Sequence, residues 1–254
     1  MPPPYEIHPE SPDPTDTWLF DASRCDVPAR DVMSLLDADE HARASSFLFD
    51  RDRERFALSH AALRVVVSRY VAIPPRRVAF AKGRHGKPRL SPDGSGVAPP
   101  IHFSLSHAGP FTLIAVARGR DVGVDVEHLR SDPHFADMAR RVFTSEEAAE
   151  IEALPESMRA AAFLRCWVRK EALVKAHGDG LSVPLDGFRV SVDPESPARL
   201  LAVRAPEIAG TQWSLADVDV GPAGVGAVAV AGPTLALREF ALSDADLRVA
   251  AAGD

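Results

Sequence analysis

The apolar positions of this chain follow a helical period in two long stretches. The first stretch predicts a helix over residues 52–70, and the apolar residues on its stripe are Phe56, Leu63, Val67 and Tyr70. The second stretch predicts a helix over residues 157–177. It is expected to end at Gly178, because glycine readily takes the backbone conformation that closes a helix.

Capping boxes and short apolar runs predict the other elements. Asp37 and Thr144 each have Glu three positions later, and they predict helices over residues 37–49 and 144–154. Strands are predicted over residues 18–20, 101–106, 111–117, 122–127, 188–192, 200–203, 212–218 and 226–231. The three runs within residues 101–127 are separated by short turns, so they are expected to form one antiparallel sheet.

Three segments carry loop signals instead. Six prolines within the first fourteen residues exclude a helix there and predict a segment that drapes over the surface. Residues 82–100 are rich in Gly, Pro, Ser and basic side chains, which predicts a surface loop. Residues 243–254 are expected to form a loose end.

The predicted elements define an α+β fold in which each half combines helices with an antiparallel sheet. Phe103-Ser104-Leu105, a Gly-Pro turn and an apolar strand are faintly echoed by Trp213-Ser214-Leu215, a Gly-Pro turn and another apolar strand. This echo hints at two related halves, although chance similarity explains it about equally well.

Composition narrows the class of protein. A chain of 254 residues makes one large domain or two smaller ones, and its formal charge of −7 argues against nucleic-acid binding. Two cysteines, Cys25 and Cys166, are too few for a disulfide scaffold. No apolar run is long enough to span a membrane, and no signal sequence is recognisable, so a cytoplasmic protein is expected.

Asp125 and Glu127 are the most informative acidic pair. They alternate with Val124 and Val126 on a predicted strand, so both carboxylates point to the same face. Two carboxylates so placed repel each other unless a cation lies between them, and Mg²⁺ prefers oxygen ligands. The alternative is a solvated face of an edge strand, which is the more common situation for such a pair.

Glu171 and Lys175 form a second candidate pair, one helical turn apart on the second long helix. The ordinary interpretation is a surface ion pair. Trp167 lies one turn before Glu171, however, and apolar residues border the same flank. A carboxylate and an amine at the margin of an apolar stripe favour a position that lines a cleft.

Two further segments give weak signals by themselves. The basic run Arg84-His85-Gly86-Lys87-Pro88 could wrap a phosphate, although it lacks the P-loop spacing. Ser106 and His107 are neighbours, but no Gly-x-Ser-x-Gly elbow supports a serine hydrolase.

Taken in order, five motifs resemble the Sfp-type 4′-phosphopantetheinyl transferases. They are Gly86-Lys-Pro88, Phe103-Ser-Leu-Ser-His107, Val122-Gly-Val-Asp-Val-Glu127, Phe143-Thr-x-x-Glu147 and Trp167-Val-Arg-Lys-Glu-Ala-Leu-x-Lys175. The resemblance extends from about Arg43 to Phe188. The Trp-x-x-Lys-Glu-Ala form points to the subgroup associated with carrier proteins of polyketide and nonribosomal peptide synthesis.

The resemblance implies a monomer of two pseudo-twofold-related halves, residues 1–121 and 122–254, with coenzyme A in the cleft between them. The implied reaction moves phosphopantetheine from coenzyme A onto a serine hydroxyl of an acyl or peptidyl carrier protein. Adenosine 3′,5′-bisphosphate is the product that leaves.

The resemblance also implies roles for individual residues. Asp125, Glu127 and Glu171 are expected to hold Mg²⁺, and Glu171 is expected to act as general base, with Glu147 as its rival. Lys175 is expected to contact the phosphate under attack. The other expected contacts of coenzyme A are Arg43, Arg84, His85, Gly86, Lys87, Pro88, Ser106 and His107.

Two other activities use the same residues and remain open at this point. One is a coenzyme A-binding module without catalysis, and the other is a Mg²⁺-dependent phosphohydrolase. A carrier protein is usually acidic, so its docking on this acidic chain requires a local basic patch. The candidates for such a patch are Arg140, Arg141, Arg159, Arg165 and Arg169.

Overall fold

The structure is a computed structural model that describes residues 14–83, 86–91, 101–178 and 182–253. Residues 1–13 of the proline-rich start and residues 92–100 of the predicted surface loop lie outside this range. Within the described part of the chain, no helix is both long enough and apolar enough to cross a bilayer.

The first half of the chain builds one layer of helices against a sheet. Its elements are β1 (Thr15–Asp21), α1 (Ala29–Val32), α2 (Ala38–Ser45), α3 (Asp50–Val71), β2 (Phe80–Lys82), β3 (Pro88–Leu90), β4 (Ile101–Ala108) and β5 (Phe111–Arg118). The capping box at Asp37 is present, but α2 ends at Ser45, earlier than predicted. The predicted loop over residues 82–100 contains one arm of a short hairpin, in which β2 pairs with β3.

The second half repeats this plan and then returns to the first half. Its elements are β6 (Val122–His128), α4 (Phe135–Val142), α5 (Ser145–Ala153), α6 (Glu156–His177), β7 (Phe188–Val190), β8 (Leu200–Val203), α7 (Pro206–Ala209), β9 (Trp213–Val218), β10 (Gly224–Ala231), β11 (Leu237–Ala241) and α8 (Asp244–Ala252). Thr144 and Glu147 form the predicted capping box of α5. Gly178 closes α6 in the left-handed conformation, as predicted.

The two main sheets have matching strand orders. The first runs β11-β1-β5-β4 and the second β6-β10-β9, so β1-β5-β4 corresponds to β6-β10-β9. All pairings in the two sheets are antiparallel except that of β11 with β1. The prediction that residues 101–127 form one sheet was wrong. Both edges of β5 are already paired, with β1 and β4, so β6 pairs with β10 instead.

An apolar cluster joins the two halves. It contains the inward residues of β5, of β6 and of β10, including Leu113, Val124, Val126 and Val228. The predicted apolar face of β6 is therefore buried between the sheets, which places the side chains of Asp125 and Glu127 on its other face. Each long helix contributes to a separate core, α3 in the first half and α6 in the second.

The prediction of a loose C-terminus was wrong. Strand β11 pairs in parallel with β1, and α8 begins at a capping box formed by Ser243 and Asp246. Leu247 is fully buried, and Asp246 forms an ion pair with Arg69 of α3. One apolar anchor in a short, alanine-rich segment leaves almost no periodic signal, and its partners lie far away in sequence. The C-terminal strand and helix thus lie on the first half, and a division of the chain at Asp121 stays a prediction.

Candidate active site

Strand β6 presents a buried carboxylate at the boundary between the halves. Asp125 is only 5% exposed. Its Oδ1 accepts hydrogen bonds from Ser106 Oγ at 2.7 Å and from Lys175 Nζ at 2.7 Å. Its Oδ2 is buried and has no hydrogen-bond partner among the described residues. Burial raises the pKa of Asp125, although Lys175 and Ser106 act in the opposite direction.

Glu171 on α6 faces the same group of charges. Burial raises its pKa, the negative charges of Asp125 and Glu127 raise it further, and Lys175 partly offsets the rise. The helical carboxylate therefore lies within electrostatic range of both strand carboxylates. The alternative of a solvated edge-strand face does not describe Asp125, and Lys175 pairs with Asp125 in the cleft.

A close backbone approach holds the helix and the strand together at this point. A Cβ atom added to Gly123 of β6 would lie 2.1 Å from the carbonyl oxygen of Ala172 and 2.2 Å from the backbone nitrogen of Ala176. Only glycine permits this contact. It brings the α6 turn that carries Glu171 and Lys175 beside the start of β6, two residues before Asp125.

The donor chemistry of this cluster suits a hard divalent cation. Three carboxylates near one another, one with an unpartnered buried oxygen, are expected to attract an ion that prefers oxygen ligands. As the side chains stand, Lys175 holds Asp125, and Arg130 donates to Glu127 at 2.8 Å. In the described part of the chain, no group of three acidic, histidine or cysteine side chains is arranged to hold a metal ion.

Ser106 and His107 bring strand β4 of the first half to the cluster. Ser106 Oγ also lies 3.0 Å from Lys175 Nζ, so it joins both charged groups. Partial burial lowers the pKa of His107, and the positive charges of His60 and Lys175 lower it further. The Ser-His neighbours thus lie beside the carboxylates rather than in a nucleophilic triad.

His60 is a neighbour of the cluster that sequence reasoning missed. Its Nδ1 lies 2.9 Å from Glu40 Oε1, and its ring stacks on Phe56 with centroids 4.0 Å apart. It also lies close enough to His107 to affect that side chain's pKa. The Glu40 of the predicted capping box is twenty residues away in sequence, so no local pattern indicated this contact.

Several predicted ligand contacts lie on the basic hairpin and on α2. Lys87 Nζ donates to backbone carbonyl oxygens of α6 and β6, and Pro88 begins β3 just after Gly86. Arg43 is exposed, with its guanidinium 5.5 Å from the centre of the Phe47 ring. The predicted contacts Arg84 and His85 lie outside the described residues.

Glu147 lies in the core and has only internal partners. It is fully buried, and its Oε2 lies 2.8 Å from Lys170 Nζ and accepts from the backbone of Thr144. Its Oε1 accepts from the backbone N–H of Val190 at 2.7 Å. These contacts explain Glu147 as a structural link between α5, α6 and β7. The structure therefore gives no support to its expected role as a rival base.

One predicted docking residue is also buried. Arg169 is 0% exposed and donates to Asp217, to Ser191 and to the carbonyl oxygen of Ser196. Its inclusion in a basic surface patch was wrong, because its position on α6 faces the second core. Arg140, also a candidate, is exposed and forms ion pairs with Asp137 and Glu152.

The arrangement defines a class of site: carboxylates and an ammonium group, partly buried at the boundary between two α+β halves and suited to a phosphate ester. Comparison with known proteins identifies this class more closely. Residues 121–231 match the family model of the 4′-phosphopantetheinyl transferase superfamily. Residues 25–119 match that of the N-terminal domain of 4′-phosphopantetheinyl transferases.

Individual relatives agree with these matches. The chain is 33% identical to the 4′-phosphopantetheinyl transferase HetI of Nostoc sp. over 87% of this chain and 89% of that protein. It is 29% identical to the 4′-phosphopantetheinyl transferase Sfp of Bacillus subtilis over 62% and 67% of the two chains. The solved Thermotoga maritima holo-[acyl-carrier-protein] synthase matches with a TM-score of 0.34 and 20% identity, over 45% of this chain and 64% of that one.

The chain belongs to the 4′-phosphopantetheinyl transferase family, in its two-domain form similar to HetI and Sfp. It is therefore a transferase, and its family implies coenzyme A and carrier proteins as the two substrates. The resemblance and the enzyme class expected from the sequence are confirmed at this level.

Proposed function

We propose that this enzyme transfers phosphopantetheine to carrier proteins with Glu171 as the base and with Asp125, Glu127 and Glu171 as the ligands of Mg²⁺. The observation that carries the proposal is the cluster at the boundary of the halves. Its ammonium–carboxylate–hydroxyl contact of Lys175, Asp125 and Ser106 lies beside a second buried carboxylate. A cluster of this kind suits phosphate chemistry. A simple surface ion pair would not need the hydroxyl or the second buried carboxylate.

The serine hydroxyl of the carrier gives its proton to the Glu171 carboxylate as its oxygen attacks the pantetheine-side phosphorus. The bond from that phosphorus to the bridging oxygen breaks, and adenosine 3′,5′-bisphosphate leaves with the electron pair. A carboxylate positioned beside the reacting hydroxyl is a usual general base. A bound Mg²⁺ would neutralise charge on the diphosphate oxygens.

In this scheme Lys175 contacts the phosphate under attack. Its ammonium group is bonded to Asp125 and Ser106, and it would turn toward the diphosphate if a cation held Asp125 instead. His107 and Arg43 then contact the phosphates at the nucleotide end. The proposal also assigns Gly86, Pro88, Arg84 and His85 to contacts with the same end of coenzyme A.

The carrier is proposed to belong to polyketide or nonribosomal peptide synthesis, and the enzyme to act as a cytoplasmic monomer. The first of these rests on the Trp167 to Ala172 motif, in which Lys170 and Glu171 are adjacent. Lys170 is buried in the core, whereas Glu171 faces the acidic cluster. Lys170 therefore has a structural role, and the proposal gives the chemical role to Glu171.

Transfer is tested with Mg²⁺, coenzyme A and purified apo carrier proteins of several classes, with the mass of the carrier as readout. The wild type is expected to add one phosphopantetheine group. Glu171→Gln is expected to lower kcat by about 10²- to 10⁴-fold, the usual contribution of a general base. Glu147→Gln is the matched comparison, and its folded fraction is expected to keep its kcat.

Three outcomes would contradict the proposal in different ways. Phosphate release from coenzyme A without any carrier indicates a phosphohydrolase. Binding of coenzyme A without transfer to any carrier indicates a binding module. A loss of kcat in Glu147→Gln with full activity in Glu171→Gln would make Glu147 the base and Glu171 the residue without a catalytic role.

A further inference from the structure

Lys87 makes contacts that a phosphate ligand does not need. Its Nζ donates to the carbonyl oxygens of Val122 at 2.9 Å, of Lys175 at 2.7 Å and of Ala176 at 3.4 Å. Val122 begins β6, and the other two residues lie in the last turn of α6. One ammonium group on a hairpin of the first half is thus bonded to two elements of the second half.

The position of the three acceptors explains why an ammonium group fits there. The last carbonyl oxygens of a helix have no partner within the helix and carry a partial negative charge. Gly178 closes α6 in the left-handed conformation, and a Cβ added to it would lie 3.9 Å from Lys87 Cδ. The lysine stem therefore passes directly beside the end of the helix.

The hairpin holds Lys87 in place from the other side. The backbone N–H of Gly83 donates to the carbonyl oxygen of Lys87 at 2.8 Å, and β2 pairs with β3 on either side of the turn. Burial lowers the pKa of Lys87 to about 8, while Asp121 raises it and Arg89 lowers it. The ammonium group is thus largely removed from water and has its donors committed to the backbone.

We propose that Lys87 is a positioning residue that fixes the last turn of α6 to the start of β6, so that Lys175 on the helix meets Asp125 on the strand. The backbone oxygen of Lys175 accepts one hydrogen bond from Lys87, and the side chain of Lys175 binds Asp125. The inference rests on the proposed function for its catalytic consequence. It replaces the expectation that Lys87 contacts a phosphate of coenzyme A.

Lys87→Met tests the proposal because it keeps the stem and removes the donors. We expect kcat to fall by about 10- to 100-fold, the effect of a small misplacement of reacting groups, with the Kd for coenzyme A close to that of the wild type. Amide hydrogen exchange is expected to accelerate in residues 172–178 and 122–126, and not in α3. The matched control is Lys82→Met, on the same hairpin, whose side chain is 85% exposed.

The opposite pattern would overturn the proposal. A large rise in the Kd for coenzyme A with unchanged exchange in α6 makes Lys87 a direct phosphate ligand. Unchanged exchange together with unchanged kcat removes any role in positioning. Hydrogen exchange is measured without substrates and does not depend on transfer activity. If the wild type transfers nothing, the proposed function is wrong, but the exchange measurement still tests whether Lys87 fixes the end of α6.

A measurement on the wild type covers the case in which Lys87→Met does not fold. The Lys87 ammonium signal in ¹⁵N-lysine spectra is expected to show slow proton exchange and to remain in place when coenzyme A is added. A signal that exchanges as fast as that of Lys82, or that shifts strongly with coenzyme A, contradicts the assignment.

Discussion

The two halves of the molecule share one structural device. Helices α3 and α6 each have 22 residues, and each holds a fully buried cation eight residues before its left-handed cap. In the first half Arg64 pairs with Glu40, and in the second Lys170 pairs with Glu147. Both glutamates occupy position N3 of a capping box, three residues after the N-cap.

The backbone partners of the two cations correspond as well. Arg64 donates to the carbonyl oxygens of Pro75 and Val78, just after α3. Lys170 donates to those of Leu185 and Phe188, further along after α6. The device therefore joins a short capped helix, a long helix and the segment that follows, and it does so twice.

The halves differ at the next positions along the helices. The residue after Lys170 is Glu171, whereas the residue after Arg64 is Val65, which is buried in the first core. Five positions after the cations, Lys175 binds Asp125 of β6, whereas Arg69 binds Asp246 of α8. The scaffold repeats and the cluster does not. The comparison of the halves therefore separates Glu147, which has a structural role, from Glu171, which is the proposed base.

The largest expected effect comes from breaking the buried pair. Lys170→Met leaves Glu147 charged, unpaired and fully buried, and it is expected to lower the free energy of unfolding by about 3–5 kcal/mol. Arg64→Met is expected to cost less, because Glu40 keeps the His60 ring as a partner and is not fully buried, whereas Glu147 is fully buried and keeps backbone donors. Urea unfolding at pH 7 measures both, and equal losses would show that the halves do not differ here.

The close approach of α6 to β6 gives the next effect. Gly123→Ala places a methyl group against the helix backbone and is expected to cost about 1–3 kcal/mol as an overpacking change. It is also expected to lower kcat, because it moves Glu171 and Lys175 relative to Asp125. Gly210→Ala is the control, since nothing lies within 4 Å of an added Cβ there. If Gly123→Ala transferred phosphopantetheine at the wild-type rate, the close contact between α6 and β6 would not be needed for catalysis.

Glu171 and Glu40 are expected to respond oppositely to pH, because their pKa values are shifted in opposite directions. The pKa of Glu171 is raised above 4.5, so the folded chain holds the carboxyl proton more tightly than the unfolded chain does. Stability therefore falls as the pH rises from 4.5 to the pKa of the folded chain. Glu171→Gln is therefore expected to raise the Tm at pH 7, with a gain that disappears below pH 4.5.

Glu40 has the opposite sign. Burial alone raises its pKa, but the hydrogen bonds from His60 and Asp37 and the charge of Arg64 outweigh burial and hold the pKa below 4.5. Its stabilisation is present above pH 4.5 and is lost as pH falls through its folded pKa. Glu40→Gln is expected to lower the Tm at pH 7 and to have less effect in acid. Thermal scans from about pH 3 to 7, the range over which carboxylates titrate, would reveal two shifts of the same sign if this contrast is wrong.

The smallest expected effect lies at the ends of the long helices. Ala72 closes α3 with φ of 55°, whereas Gly178 closes α6 with φ of 89°. Ala72→Gly is expected to stabilise by about 0.5–1 kcal/mol, and Gly178→Ala to destabilise by about 1–2 kcal/mol. Denaturation midpoints of the two variants test this, and changes of equal sign would contradict the strain at Ala72.

Local patterns predicted most elements correctly because their causes lie close in sequence. The stripe of α3, the capping boxes at Asp37 and Thr144 and the Gly178 stop each depend on residues within a few turns. The ordered motifs also pointed to the family, because each is a short run. The alternation in β6 placed Asp125 and Glu127 on one face for the same local reason.

The sequence by itself therefore determined the two long helices α3 and α6, the capped helices α2 and α5, most strands and the candidate carboxylates. Only the tertiary structure decided which strands pair, that the C-terminal segment packs on the first half, and which charged residues are committed to the core. The sequence identifies Glu147, Arg169 and Lys87 only as residues with charged side chains. Whether that charge meets a core partner, a helix end or a substrate depends on groups far away in sequence, which only the folded chain brings together.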